Sequence, residues 1–208
     1  MQKLLLPLLL LPFIADAWNQ IRLSGRRQTI DKLERDPEQA AKARDRCHEV
    51  IVADLDDAAP RLTGLFDAIV YGDVLEHLSN PLPVLVALDR SLAPGGRVLV
   101  SVPNIAHLWM RLSLLLGRWD YADRGILDRT HLRFFTRRSF VRFLADAGLE
   151  VEELVATPVP LPLVLPPRFH GAVLDAVHGL SARAARVWKS GLAYQLVAVC
   201  RRARAIAP

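Results

Sequence analysis

The sequence predicts an α/β fold, a Rossmann-like and mostly parallel sheet flanked by helices, on three observations. Short apolar runs alternate with stretches of helix formers, the connections between them are short, and 51% hydrophobic residues in 208 positions suffice for one buried core. Alternation of this kind implies parallel strands, helices on both faces and right-handed crossovers.

The elements follow in order. Asp36 and Pro37 read as N-cap and first helical residue, and "PEQAAKARDRC" carries helix formers to about Cys47. "EVIVADL", Glu49 to Leu55, is a short buried strand, and "FDAIVYGD", Phe66 to Asp73, is another. Asn80 and Pro81 cap a helix through "PLPVLVALDRSL"; the turn "APGG" ends it, and "RVLVSVPN", Arg97 to Asn104, is the next strand. "AHLWMRLSLLLG" is an apolar helix, and "RWDYADRGILDRTHLRFF" is a polar and aromatic loop of a length that often carries function. Thr136 caps the helix "RRSFVRFLADA", Gly148 closes it, and "EVEELVATPV" is a strand. "PVPLPLVLPP", Pro158 to Pro167, is a proline-rich linker or lid, and an amphipathic helix from about His170 to Trp188 leads to the last strand, "AYQLVAVCRR".

Charge and cysteines exclude some partners. The net charge of +5 is local: from Pro160 onward seven Lys and Arg face one acid, Asp175. No aromatic and basic stacking pattern accompanies them, so a solvated face is favoured and no nucleic acid is expected, while a weak membrane-surface contact stays open. Cys47 and Cys200 match no metal or redox spacing and read as partly buried thiols in a reducing compartment.

The N-terminus departs from this regularity. "MQKLLLPLLLLPFIADA" has Lys3, an apolar run from Leu4 to Ile14, and Ala15 and Ala17 spaced like a signal-peptidase site. Eleven apolar residues are too few to span a bilayer. Residues 1–31 are therefore set apart as a signal-like or artefactual segment, and 32–208 as a partial domain with an insertion at 158–167.

The motifs "ERDPEQAAKAR" with "VIVADLDD", "FDAIVYGDVLEHLSNP", "LAPGGRVLVSVPN" and "ILDRTHLRFFTRRSF", in this order and spacing, resemble the class I S-adenosylmethionine-dependent methyltransferases, in particular the bacterial methyltransferase-domain group. The resemblance covers roughly Leu33 to Pro160, with a final strand near Tyr194. It implies S-adenosylmethionine as cofactor and methyl transfer to a small-molecule, glycan or lipid-linked acceptor. Two other readings are kept: a catalytically inactive interaction subunit of the same fold, and a membrane-associated or exported protein. The cytoplasm is the expected compartment, with export or membrane association following if residues 1–17 act as a signal.

In an open α/β sheet the ligand sits beyond the carboxyl ends of the strands. There the resemblance gives Glu34 to the ribose hydroxyls, Asp54 to the adenine amino group and Leu55 to the ring face; for each acid the alternative is a surface carboxylate capping a turn. Asp73, Val74 and His77, in "DVLEH", follow a strand directly and hang over the same cleft. His77 orients the cofactor, acts as general base, or ligates a metal with Glu76; the last is least favoured, because no third ligand stands at helical spacing, and no metal is expected. Glu76 is as well explained as a helix cap. His131 is a second candidate base, against the alternative of a loop histidine fixing a turn. Asn104, Tyr121 and Arg133 are assigned to the acceptor side, where Arg133 would steer an anionic group.

A strand and a glycine-rich turn should precede the ribose acid, because glycines let the backbone approach the cofactor. Up to Leu33 the chain has Gly25 alone, and the prolines of "KLLLPLLLLPFIA" suit a central strand badly. The strand and its loop are thus expected to be missing or replaced. A wrong start or reading frame ranks first as explanation, a degenerate copy second and export third.

Overall fold

The computed structural model describes residues 2–7 and 28–203. Seven strands form one sheet: β1 (Gln2–Pro7), β2 (Gln28–Glu34), β3 (Glu49–Val52), β4 (Phe66–Gly72), β5 (Leu92–Pro103), β6 (Leu149–Thr157) and β7 (Gln195–Arg202). Their spatial order is β3-β2-β1-β4-β5-β7-β6. The first five run parallel, and β7 is antiparallel to both of its neighbours.

The expectation of a missing first strand is corrected here. Gln2–Pro7 lies in the middle of the sheet, in register with Gln28–Leu33 on one side and with Ala68 and Ile69 on the other. Proline is tolerated because Pro7 is the strand's last residue and falls beyond the two registered pairs with β4, so its lacking N–H removes little of the ladder. The segment 1–31 therefore contributes to the sheet. The remainder of the signal-like run and Gly25 lie outside the described residues.

Helix α1 (Pro37–Ala43) begins as expected, with the Asp36 carboxylate accepting from the Glu38 N–H at 2.8 Å, but it ends short of Cys47 in turns. Helix α2 spans Pro81–Asp89, α3 Leu108–Leu115 and α4 Arg137–Asp146. The α4 N-terminus is a capping box: Thr136 Oγ1 accepts from the Ser139 N–H at 3.2 Å, and Ser139 Oγ accepts from the Thr136 N–H at 2.9 Å. The predicted "APGG" turn is a bulge inside β5, where the register jumps from Phe66↔Leu92 to Ala68↔Arg97. The proline-rich stretch holds one short helix, α5 (Leu161–Val164), and α6 (Ala172–Val187) and α7 (Lys189–Leu192) lead into β7.

The main core cluster lies between sheet and helices, and in it Ile69, Leu85, Val100, Phe140, Leu144 and Leu196 are fully enclosed. Helix α3 differs from the others: Met110 alone is buried, and Trp109, Leu114 and Leu115 face solvent. Part of the basic C-terminal excess is neutralised at the sheet edge, where Arg202 pairs with Asp89 at 2.6 Å and Arg201 with Glu150 at 2.7 Å. Both cysteines are free; Cys200 is buried in β7, and burial pushes its thiol up to about 12.

Candidate active site

The carboxyl ends of β2, β3 and β4 open onto a cleft of about 300 Å³. Glu34, Asp54, Leu55, Asp73, Val74 and His77 all line it, joined by Arg35, Leu78 and Thr130. Glu34 is buried at the end of β2; its carboxylate pairs with Lys32 Nζ at 3.1 Å and accepts from the Asp36 N–H at 3.1 Å. Asp54 pairs with Arg35 Nε at 2.8 Å and accepts from the Asp56 N–H at 3.0 Å, so it also closes the turn after β3. Neither interaction fills all the acceptor sites of a carboxylate.

Asp73 is held most firmly. Its φ of +51° is in the left-handed region, which aspartate tolerates better than most residues. Its N–H donates to Ser101 Oγ at 3.0 Å, the Ser101 hydroxyl donates to Oδ1 at 2.8 Å, and Gln195 Nε2 donates to Oδ2 at 2.5 Å. Burial raises its pKa, opposed by the bonds from Ser101 and Gln195 and by His77.

Beside the cleft, the short 3-10 turn Leu75–His77 meets the long loop. His77 Nδ1 donates to the Thr130 carbonyl at 3.2 Å, and His131 Nδ1 donates to the Ile126 carbonyl at 3.0 Å. The two rings meet edge to face with centroids 4.8 Å apart. Burial, followed by His131, lowers the His77 pKa. Glu76 is fully enclosed, and neither carboxyl oxygen has a hydrogen-bond partner among the described residues. Burial and the charge of Asp73 drive its pKa well above the carboxylate range. Its carbonyl accepts from the Leu132 and Arg133 N–H groups at 2.8 and 3.1 Å, which stitches the loop to the turn. One ring nitrogen of His131, brought in by the loop, lies within 4.8 Å of donor atoms of Glu76 and His77, a proximity that helical spacing cannot register.

One acceptor-side assignment is corrected. Asn104 does not face an open site: it is fully buried, its Nδ2 donates to the Ala193 carbonyl at 2.8 Å, and its Oδ1 accepts from the Ala106 N–H at 3.1 Å. The exposed Arg133 guanidinium donates to the Leu78 carbonyl, at 3.2 Å, and to the Ser79 carbonyl, which ties the loop to the end of the turn. Tyr121 is half-exposed on the loop. Its neighbours Asp120 and Ala122 line a second groove of about 370 Å³ with Trp109, Met110, Ile126, Leu127 and Tyr194. Tyr194 links the two regions: burial and the Asp73 charge both raise its phenol pKa. Sequence reasoning passed over Tyr194, Ser101 and Gln195; the only signal was a polar group inside or just ahead of an apolar strand.

The fold, with its reversed seventh strand, is shared with solved S-adenosylmethionine-dependent methyltransferases. The chain belongs to the methyltransferase domain family, whose model matches residues 17–154. It is 33% identical over 103 residues to the ubiquinone biosynthesis O-methyltransferase of Dechloromonas aromatica (strain RCB), covering 49% of this chain and 44% of that protein. The chain thus spans under half the length of the curated relatives it matches. Among solved structures, the complex between the Haloferax volcanii Trm112 methyltransferase activator and a methyltransferase aligns over 100% of this chain and 84% of that chain, with TM-score 0.58 and 16% identity. The O-methyltransferase of a trans-AT PKS multienzyme of Brevibacillus brevis, in complex with S-adenosyl-L-homocysteine, aligns over 97% and 67%, with TM-score 0.53 and 16% identity. At these identities the structures establish the fold.

Proposed function

We propose that the chain binds S-adenosylmethionine in the cleft and passes its methyl group to a hydroxyl oxygen of a small-molecule, glycan or lipid-linked acceptor. One observation carries the reading: the six residues that the family resemblance assigns to the cofactor come from three strand ends and surround a single cavity. Glu34 takes the ribose hydroxyls, Asp54 the adenine amino group and Leu55 the ring face, while Asp73, Val74 and His77 hold the methionine end. The oxygen acceptor is carried over from the relatives, which are named as O-methyltransferases.

The chemistry asks little of the protein beyond alignment. The acceptor O–H loses its proton, the new O–C bond forms as the S–C bond breaks, and the sulfonium becomes a neutral thioether. With Nδ1 committed to the Thr130 carbonyl, His77 presents Nε2 as the proton-accepting atom, and burial keeps the ring neutral at physiological pH. His131, in the same tautomer, is the second candidate.

Among the described residues no helix is long and apolar enough to cross a membrane. The cytoplasm, where the cofactor is found, is the proposed location.

A thermal melt with and without S-adenosylmethionine tests the reading. Ligand at about 100 times its Kd stabilises the folded state by roughly 2.7 kcal/mol, enough to raise Tm by several degrees. A cooperative melt that S-adenosylmethionine leaves in place would overturn it and favour the inactive interaction subunit, since Gly25 is the one glycine ahead of the ribose acid.

A further inference from the structure

We infer that the outer face of α6 is the contact through which two copies of this chain pair, antiparallel and across a two-fold axis at Leu180. The helix buries Leu174 and Ala185 on one side. On another side Val173, Val177, Leu180, Ala184 and Val187 recur at steps of four, three, four and three residues. At about 100° per residue these five positions fall within roughly 80° of the helix circumference. Val173 is 79% exposed, Leu180 66% and Val187 89%, and Val177 is exposed as well. Scattered surface hydrophobics are ordinary, but a straight apolar seam at this spacing is what a second helix fits. A helix that lies in a lipid surface shows a wider apolar face, above about 100°.

Area and charge make a second copy the occupant. Phe169 and Trp188, at the two ends of the helix, are exposed too. At whole-residue areas of roughly 150–250 Å², these two and the seam leave about 700 Å² open per chain, beyond the roughly 300–600 Å² usual for the largest patch of a monomer. A symmetric pair that covers this surface buries about 1,400 Å², within the roughly 1,200–2,000 Å² of stable interfaces. The seam is symmetric about Leu180, since Val173 and Val187 each lie seven residues from it. An isologous contact therefore sets Leu180 on the partner's Leu180 and Val173 on the partner's Val187. Charge selects the direction. The one acid of α6, Asp175, is in its first turn, and Arg183 and Arg186 are in its second half. Antiparallel pairing brings the acidic end beside the basic end and opposes the helix dipoles, whereas parallel pairing does neither. No residue of α6 lines the cleft or the groove beside α3, so the contact is independent of the methyl-transfer reading.

Sedimentation velocity on the full chain, over a concentration series reaching about 100 μM, should show a species of twice the chain mass that dissociates on dilution. Leu180→Glu puts two carboxylates face to face at the axis and should weaken pairing by about 100-fold or more. Leu180 faces solvent in the single chain, so far-UV circular dichroism should be unchanged in that variant. Val173→Lys should also weaken pairing, and Val187→Glu added to it should restore pairing, because antiparallel helices set these two positions against each other. A wild-type chain that stays monomeric, a dimer that Leu180→Glu leaves intact, or a double variant that pairs more weakly than Val173→Lys alone would each overturn the proposal. Monomeric chain that sediments with phosphatidylglycerol vesicles, and no longer does so as Leu180→Glu, would give the seam to a lipid surface and overturn it as well.

Discussion

Replacing Glu76 by glutamine should raise stability at neutral pH, and the gain should vanish in acid. The side chain is fully enclosed, and both oxygens lack partners among the described residues. Burial, Asp73 and Asp128 all raise its pKa, and the imidazoles of His77 and His131 face it as well. A folded-state pKa above the unfolded one means that the group's stability contribution is complete below about 4.5 and is lost as pH rises. At pH 7 the loss has a ceiling: holding the carboxyl neutral across the 2.5 pH units above 4.5 costs about 3.4 kcal/mol at 1.36 kcal/mol each. The neutral acid and the amide are equally short of partners, so that cost largely cancels between the two proteins. For a chain of this size 1 kcal/mol moves Tm by roughly 2–4 °C, so the glutamine variant gains at most about 7–14 °C. Calorimetric melts of both proteins between pH 4 and pH 8 should converge at the acid end and separate toward neutrality. A variant that melts below wild type at pH 7 would refute the reasoning, because the carboxylate would then have a partner better than an amide provides.

Three further outcomes are expected. Glu34→Gln replaces a charge-assisted acceptor by a neutral one and should weaken S-adenosylmethionine by about 10-fold or more in calorimetry; an unchanged Kd would remove Glu34 from the ribose. Gly96→Ala brings a Cβ within 2.9 Å of Leu92 Cδ1 and 3.0 Å of the Ala93 and Asp67 carbonyls, so urea melts should show a loss of about 1–3 kcal/mol, and a neutral result would mean the β5 bulge relaxes. Thr136→Ala removes one half of the α4 capping box and should cost about 1 kcal/mol by the same assay; no change would mean that Ser139 alone carries the helix start.

Most of the sheet was legible because its strands are short apolar runs bounded by caps and glycines, and β4, β6 and β7 begin and end within about two residues of their expected limits. The error was β1. Two prolines within eleven apolar residues argue against a central strand as a rule about whole segments, whereas the ladder is formed residue by residue, and six residues ending at Pro7 meet its demands. The acceptor side was less legible for a related reason. Asn104 and Arg133 carry chemistry that suits a substrate, but the nearest unsatisfied groups are backbone carbonyls at the α7 end and at Leu78–Ser79, which lie far away in sequence. Polar side chains satisfy neighbouring buried carbonyls first, and only the fold says which carbonyls those are.

The stretch "DVLEH" shows how far sequence can reach into a site. Its place after a strand puts the stretch beside the cleft: Asp73 and His77 line it, while Glu76 is buried next to it and does not. What the stretch leaves open is how the two acids divide the work, since on paper they are equivalent. Asp73 is claimed by Ser101, 28 residues on, and by Gln195, 122 residues on, so its charge is committed to the junction of β4, β5 and β7. Neither Glu76 oxygen has a side-chain partner among the described residues, and the carboxyl sits near the imidazoles of His77 and His131. Fixing the first acid frees the second: a firmly held Asp73 sets the turn that carries Glu76 inward.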